Sequence, residues 1–276
     1  MQRREFVTAA LATSAALATP PALARSATSL VPGIQAEMST PATREYYQLL
    51  RFSLQSGPQT ALTESYFGDA LIPALTRLGF GPVGAFRVDV GPETPTFYLL
   101  VPGPSVERLA EMDQLLAKDA EFLKAGHAFW NAPATAPPFH RIESSLLSAF
   151  AGWPKLTPPA GAATHAKRIF QLRIYESATH FDHVRKVEMF HDGEFAIFEK
   201  AGLRPVFFGD TLVGPRMPNL TYMLSFNDMA ELDAKWAGFA AMPEWKKLKS
   251  DPRYSYAEIV SNISNLMLSP LACSQI

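Results

Sequence analysis

The sequence predicts an α+β protein in which two ferredoxin-like βαββαβ domains stand in tandem and close one pseudo-symmetric α+β barrel. Three observations predict it. Between Arg168 and Leu268 the patterning reads strand, helix, strand, strand, helix, strand; short motifs from this stretch occur earlier at a nearly constant offset; and a Pro-rich, aperiodic segment separates the two copies.

The second copy is the clearer one. Ile169, Gln171, Arg173 and Tyr175 alternate with Phe170, Leu172 and Ile174, the period of two that a strand with two differently occupied faces requires. From about Phe181 to Ala201, the residues Val184, Val187, His191, Phe195 and Phe198 recur three or four apart and share a helix face, and Gly202 is placed to end that helix at positive φ. VFFGDTLVGP and LTYMLSF read as two strands around a Pro/Gly turn. A second helix is expected from Met229 to about Lys249, with Leu232, Trp236, Phe239 and Trp245 as core, and a last strand from Tyr256 to about Leu268.

That order gives an antiparallel sheet with both helices on one face. If Phe170, Leu172 and Ile174 meet the helices, Gln171, Arg173 and Tyr175 point to the opposite face, which a second sheet must keep dry. The first copy supplies it. Gln48 stands against Gln171, Pro82 against Pro205, Gly91 against Gly214 and Phe122 against Trp245, all 123 residues apart, while Phe97 to Leu100 meets Thr221 to Leu224 at 124. The copies are read over residues 40–150 and 165–272, with 151–164 as an extended Pro-rich linker. Packing the free faces together places Tyr46, Gln48, Leu50 and Phe52 inside the barrel with Gln171, Arg173 and Tyr175. Left wet, apolar sheet costs about 25 cal/mol for each Å².

Residues 1–24 read as an address. Arg3 and Arg4 precede Phe6, a mildly apolar run and the small-residue site Ala22-Leu23-Ala24, the pattern of a twin-arginine export signal, with an ordinary secretory signal as the alternative. The expected location is periplasmic, with no stable membrane insertion after signal removal. Cys273 is the sole cysteine, which excludes an internal disulfide and a cysteine metal site. A formal charge of −1 without basic clusters gives no footing for nucleic acid.

The QLRIY run, MFHDGEFAIFEKAGLRPV, FFGDTLVG and the tripeptide Pro243-Glu244-Trp245 resemble the NIPSNAP family. The resemblance covers about a hundred residues of the second copy. It implies the dimeric α+β barrel superfamily, which also holds small monooxygenases and chlorite-dismutase-like haem proteins. It does not imply a reaction.

Arg173 is the most informative residue, because an unpaired buried guanidinium costs several kcal/mol. Either it forms an ion pair with a neighbouring strand, or with Gln171, Tyr175, Tyr222 and Gln48 it anchors an anionic group of a small, largely apolar ligand. His191 is the second candidate, as a general base or haem ligand present in one copy only, since Gly68 stands at its place in the other; the alternative is a helix histidine held by a carboxylate. Tyr175 is a further candidate base. His180 and His183 lack a third metal ligand and read as solvated polarity at a helix start.

Three functions stay open: a binding protein for a small molecule or cofactor, a cofactor-independent oxygenase or isomerase using His191 or Tyr175, and a structural protein with a filled barrel. The sequence requires no cofactor, and haem is the one the resemblance brings into view. A cavity of about 300 Å³ or more beside Arg173 favours ligand binding. With the partner sheet supplied in the same chain, a monomer or weak homodimer is expected.

Overall fold

Eight antiparallel strands close a barrel in the computed structural model, which describes residues 43–276. The twin-arginine segment therefore lies outside the described residues. The strands are β1 (Tyr46–Ser53), β2 (Gly84–Val90), β3 (Thr96–Gly103), β4 (Arg141–Ala149), β5 (Ile169–Glu176), β6 (Arg204–Val213), β7 (Asn219–Phe226) and β8 (Asn262–Pro270). Their order around the barrel is β1-β3-β2-β8-β5-β7-β6-β4. Each half is thus a four-stranded sheet of ferredoxin-like order, and the halves join at two seams, β2 on β8 and β4 on β6.

The offset of 123 relates β1 to β5 and β3 to β7 residue for residue. Leu50 pairs with Leu99 and Arg173 with Tyr222, so Tyr222 corresponds to Leu99, and the offset of 124 inferred for this strand is one residue too long. Both halves also carry a π-helical turn after their first helical segment, over Tyr66–Leu71 and Phe190–Glu194.

The two faces of the sheet are the reverse of the expectation. Phe170 and Leu172 point into the barrel, where they pack with Tyr47, Leu49, Phe86 and Leu268. Leu50 and Phe52 lie under the helices of the first half, and Tyr175 and Tyr222 under those of the second. Alternation separates the faces but does not say which is inward when both are buried. A small eight-stranded barrel is just wide enough for side chains to fill it, and Phe86, Phe170, Leu172 and Leu268 do so here. The helix layer instead offers partners to polar tips: Trp236 Nε1 donates to Gln171 Oε1 at 2.7 Å.

Local chemistry sets the ends of the helices. Thr179 and Asp228 cap the two helical segments of the second half by accepting from Asp182 N and Glu231 N, and Gly202 ends the first at φ 67° as its position predicts. The expected single helix from Met229 breaks at Met242, whose ψ of 131° precedes Pro243 at the first position of a new helix. The last strand starts later than expected, at Asn262, because its partner β5 ends at the facing Glu176; residues Tyr256–Ile259 form a helical turn.

The linker is not free chain. Glu45 N donates to Pro154 O at 2.9 Å and Thr157 N to Val206 O at 2.8 Å. Leu156 and the buried Ile276 seal the barrel end at which β1, β2, β5 and β6 begin. Among the described residues no helix is long and apolar enough to cross a membrane.

Candidate functional site

Beneath the helices of the second half the expected site residues do converge. Gln171 Nε2 donates to Asn265 Oδ1 at 3.3 Å while its Oε1 receives the Trp236 indole N–H. The Arg173 guanidinium carbon lies 4.4 Å from the Trp236 ring centroid, 5.2 Å from Tyr175 and 5.8 Å from Tyr222, a set of cation–π contacts. The Tyr175 and Tyr222 rings stack, and Tyr222 OH donates to Tyr175 OH at 3.3 Å. Burial holds the Tyr222 phenol well above its ordinary pKa, so it stays protonated at neutral pH.

Lys186 and Glu194, which the sequence did not mark as partners, complete this cluster. Lys186 Nζ and Glu194 Oε2 are 2.7 Å apart, with side chains 1% and 4% exposed. Lys186, Phe190, Glu194 and Phe198 stand four apart, so the spacing itself puts both charges on the buried stripe. At the equivalent places the first half has Thr63 and Leu71.

His191 lies elsewhere. It is exposed, accepts from Gly152 N at Nε2 (3.1 Å) and donates from Nδ1 to Val187 O (2.9 Å), so one ring nitrogen holds the linker while the other is fixed to its own helix. Its hydrogen-bond partners are backbone groups, not a carboxylate. The groove beside it is lined by Glu188, Asp192 and Asp210, which suits neither haem carboxylates nor an axial bond from an occupied imidazole. These residues do not fit haem. His183 turns inward to Asp210, at 2.6 Å, while His180 points out, so the two do not share a site.

Gln48 leads to a different place. In the first half a cavity of about 300 Å³ lies between sheet and helices, lined by Leu50 and Phe52 of β1, Tyr66 and Leu71 of the helical segment that follows, and Met112, Leu116 and Phe129 beyond β3. Its origin is a difference in side-chain volume between the halves. Leu50 replaces Arg173, and Asp113, an exposed residue at the rim, replaces Trp236. Gln48 donates from Nε2 to Ser144 Oγ at 3.0 Å, but its Oε1, shielded from solvent, has no hydrogen-bond partner among the described residues. The indole that serves Gln171 is missing here. Tyr66 stacks on Phe129 at 3.9 Å, and burial, then Asp113, raises its phenol pKa.

The barrel has known counterparts. A monooxygenase-like protein of Lactobacillus acidophilus aligns over 84% of this chain and 97% of its own, with TM-score 0.53 and 7% identity. One from Fusobacterium nucleatum aligns over 83% and 93%, with TM-score 0.51 and 8% identity. A NIPSNAP-like domain protein of Burkholderia xenovorans is 20% identical over 39% of this chain and 89% of its own, with TM-score 0.35. No curated protein matches the chain by sequence. The fold is that of the dimeric α+β barrel proteins, and residues 170–275, from β5 to the segment after β8, match the NIPSNAP family model.

Proposed function

We propose that the chain binds a small, largely apolar molecule in the cavity of its first half, and that the molecule donates a hydrogen bond to Gln48. The observation that carries this reading is the unmatched Gln48 Oε1 beside a cavity of about 300 Å³, at the place where the other half seats an indole against Gln171. A buried acceptor without a donor costs about 1–3 kcal/mol, which a ligand N–H or O–H recovers. The cavity falls at the lower end of the range for small-molecule sites and has their composition, largely apolar walls with a few polar groups, Gln48 and Asp113 among them.

A binder is favoured over an oxygenase or isomerase. The phenol against this cavity, Tyr66, is held protonated and is a poor base at neutral pH. The candidate bases of the second half are stacked within the core (Tyr175) or bonded to backbone (His191). The filled barrel interior supports a structural role for that region alone. We further propose that the protein is exported by the twin-arginine route and acts in the periplasm as a monomer or weak dimer; the arginine pair at Arg3 and Arg4 and the mutual cover of the two sheets support this.

Indole is the direct probe, since it reproduces the missing side chain. Calorimetric titration of the full chain is expected to show indole binding, with 1-methylindole, which lacks the N–H, weaker by about tenfold. Asp113→Trp, which restores the indole covalently, is expected to abolish binding and raise Tm. Equal binding of the two indoles, or indole binding unchanged in Asp113→Trp, refutes the proposal. Native mass spectrometry of gently purified protein then identifies the physiological occupant.

A further inference from the structure

The end of the barrel away from Leu156 and Ile276 holds a separate cavity of about 180 Å³. Its floor is apolar, built by Leu49, Ile174 and Leu266 where the interior rows end. Its rim includes the two hairpin turns, residues 91–95 between β2 and β3 and 214–218 between β6 and β7. Glu93 and Arg216 hold equivalent places on those turns, 123 residues apart, so the symmetry that relates the two rims reverses the charge across the opening.

Each side is built. On the acidic side Glu93 and Glu143 both meet Arg51, whose side chain is 16% exposed, and Arg141 approaches Glu143 from outside at 3.3 Å. On the basic side Arg216 donates to Ser264 Oγ at 3.0 Å, with Glu176 4.0 Å away and Asn265 beside it on the wall. The hydroxyl of Thr96, a residue 1% exposed on the cavity wall, has no hydrogen-bond partner among the described residues. The Tyr98 phenol, kept protonated by burial, adds another donor.

We propose that this opening binds a small zwitterion of the size of a free amino acid, with its carboxylate toward Arg216 and its ammonium toward Glu93 and Glu143. Of the charged residues that line the cavity, Glu93 and Glu143 outnumber Arg51 on one side while Arg216 stands on the other, so a ligand of either single charge meets repulsion at one pole, whereas one carrying both signs is matched at both. The volume equals the share of about six liquid water molecules at about 30 Å³ each. The unmatched Thr96 hydroxyl, which opens the strand after the Glu93 turn, then gains an ammonium to accept from.

The test is calorimetric titration of the full chain at low ionic strength with 4-aminobutyrate, butyrate and butylammonium. The expected result is binding of 4-aminobutyrate, with each singly charged analogue weaker by about ten- to a hundredfold. Arg216→Glu makes both turns acidic and is expected to weaken 4-aminobutyrate by a similar factor while far-UV circular dichroism and Tm stay unchanged; Arg216→Gln serves if that variant does not fold. No binding of 4-aminobutyrate, equal binding of all three probes, or unchanged binding by the arginine variant overturns the proposal.

Discussion

Replacing Glu194 by leucine, the residue at the equivalent place in the first half, takes away the carboxylate 2.7 Å from Lys186 Nζ. The two side chains are 1% and 4% exposed, and the ammonium lies 4.4 Å from the Phe190 ring, so water does not replace the lost partner. Breaking a buried pair from one side costs about 3–5 kcal/mol. In a unit of this size each kcal/mol lowers Tm by about 2–4 °C, so Glu194→Leu is expected to lower Tm by about 6–20 °C. Urea unfolding read by tryptophan fluorescence gives the same quantity as a shift in midpoint at unchanged slope. The double variant Lys186→Met with Glu194→Leu removes both charges of this buried pair and is expected to regain most of the loss. A loss below about 1 kcal/mol, the range of exposed pairs, shows that solvent reaches the site. A double variant no better than the single shows that packing, not charge, carries the effect. Either result refutes the reasoning.

Other consequences can be checked separately. His191→Ala removes the contacts to Gly152 N and Val187 O, and limited proteolysis within residues 151–164 is expected to quicken with Tm lowered by only a few degrees; an unchanged cleavage rate means the histidine does not hold the linker. The Arg204 guanidinium holds the Glu231 carboxyl below its ordinary range, so its contribution to stability is present above the unfolded carboxylate pKa and is lost as pH falls through the depressed folded value. The stability gap between wild type and Glu231→Gln is therefore expected to be no more than about 1 kcal/mol at neutral pH and to close in acid, measured by urea midpoints. Burial pushes the Cys273 thiol up to about 11, and alkylation by iodoacetamide at pH 8 is expected to run about a hundredfold slower in the folded protein than in urea.

The architecture could be read from spacing because period two and period 3.6 are strong signals and the repeat of 123 residues doubles each of them. The orientation of each strand could not. Phe170 and Gln171 are both buried neighbours on β5, and nothing in their alternation says that the smaller, drier space is inside the barrel. That single ambiguity moved Arg173 from a supposed ligand cavity to an aromatic box under a helix. The cavity that does exist was legible only by comparing the copies: Leu50 against Arg173 and Asp113 against Trp236 mark a large loss of volume at one place. Charge on a buried stripe was equally readable at Lys186 and Glu194, four residues to either side of Phe190. Helix ends depended on single residues such as Pro243, whose lack of an N–H restarts the helix instead of continuing it.

In an assembly of two identical subunits, every substitution appears twice, and whatever is introduced at one interface contact must be endured at its mirror image. Here a peptide connection makes the partners a single inheritance with two independent addresses. Ion pair and aromatic box can settle in one lobe while the other keeps an opening, and opposite charges can meet across one mouth. Specialisation of one lobe leaves the scaffold of its companion intact.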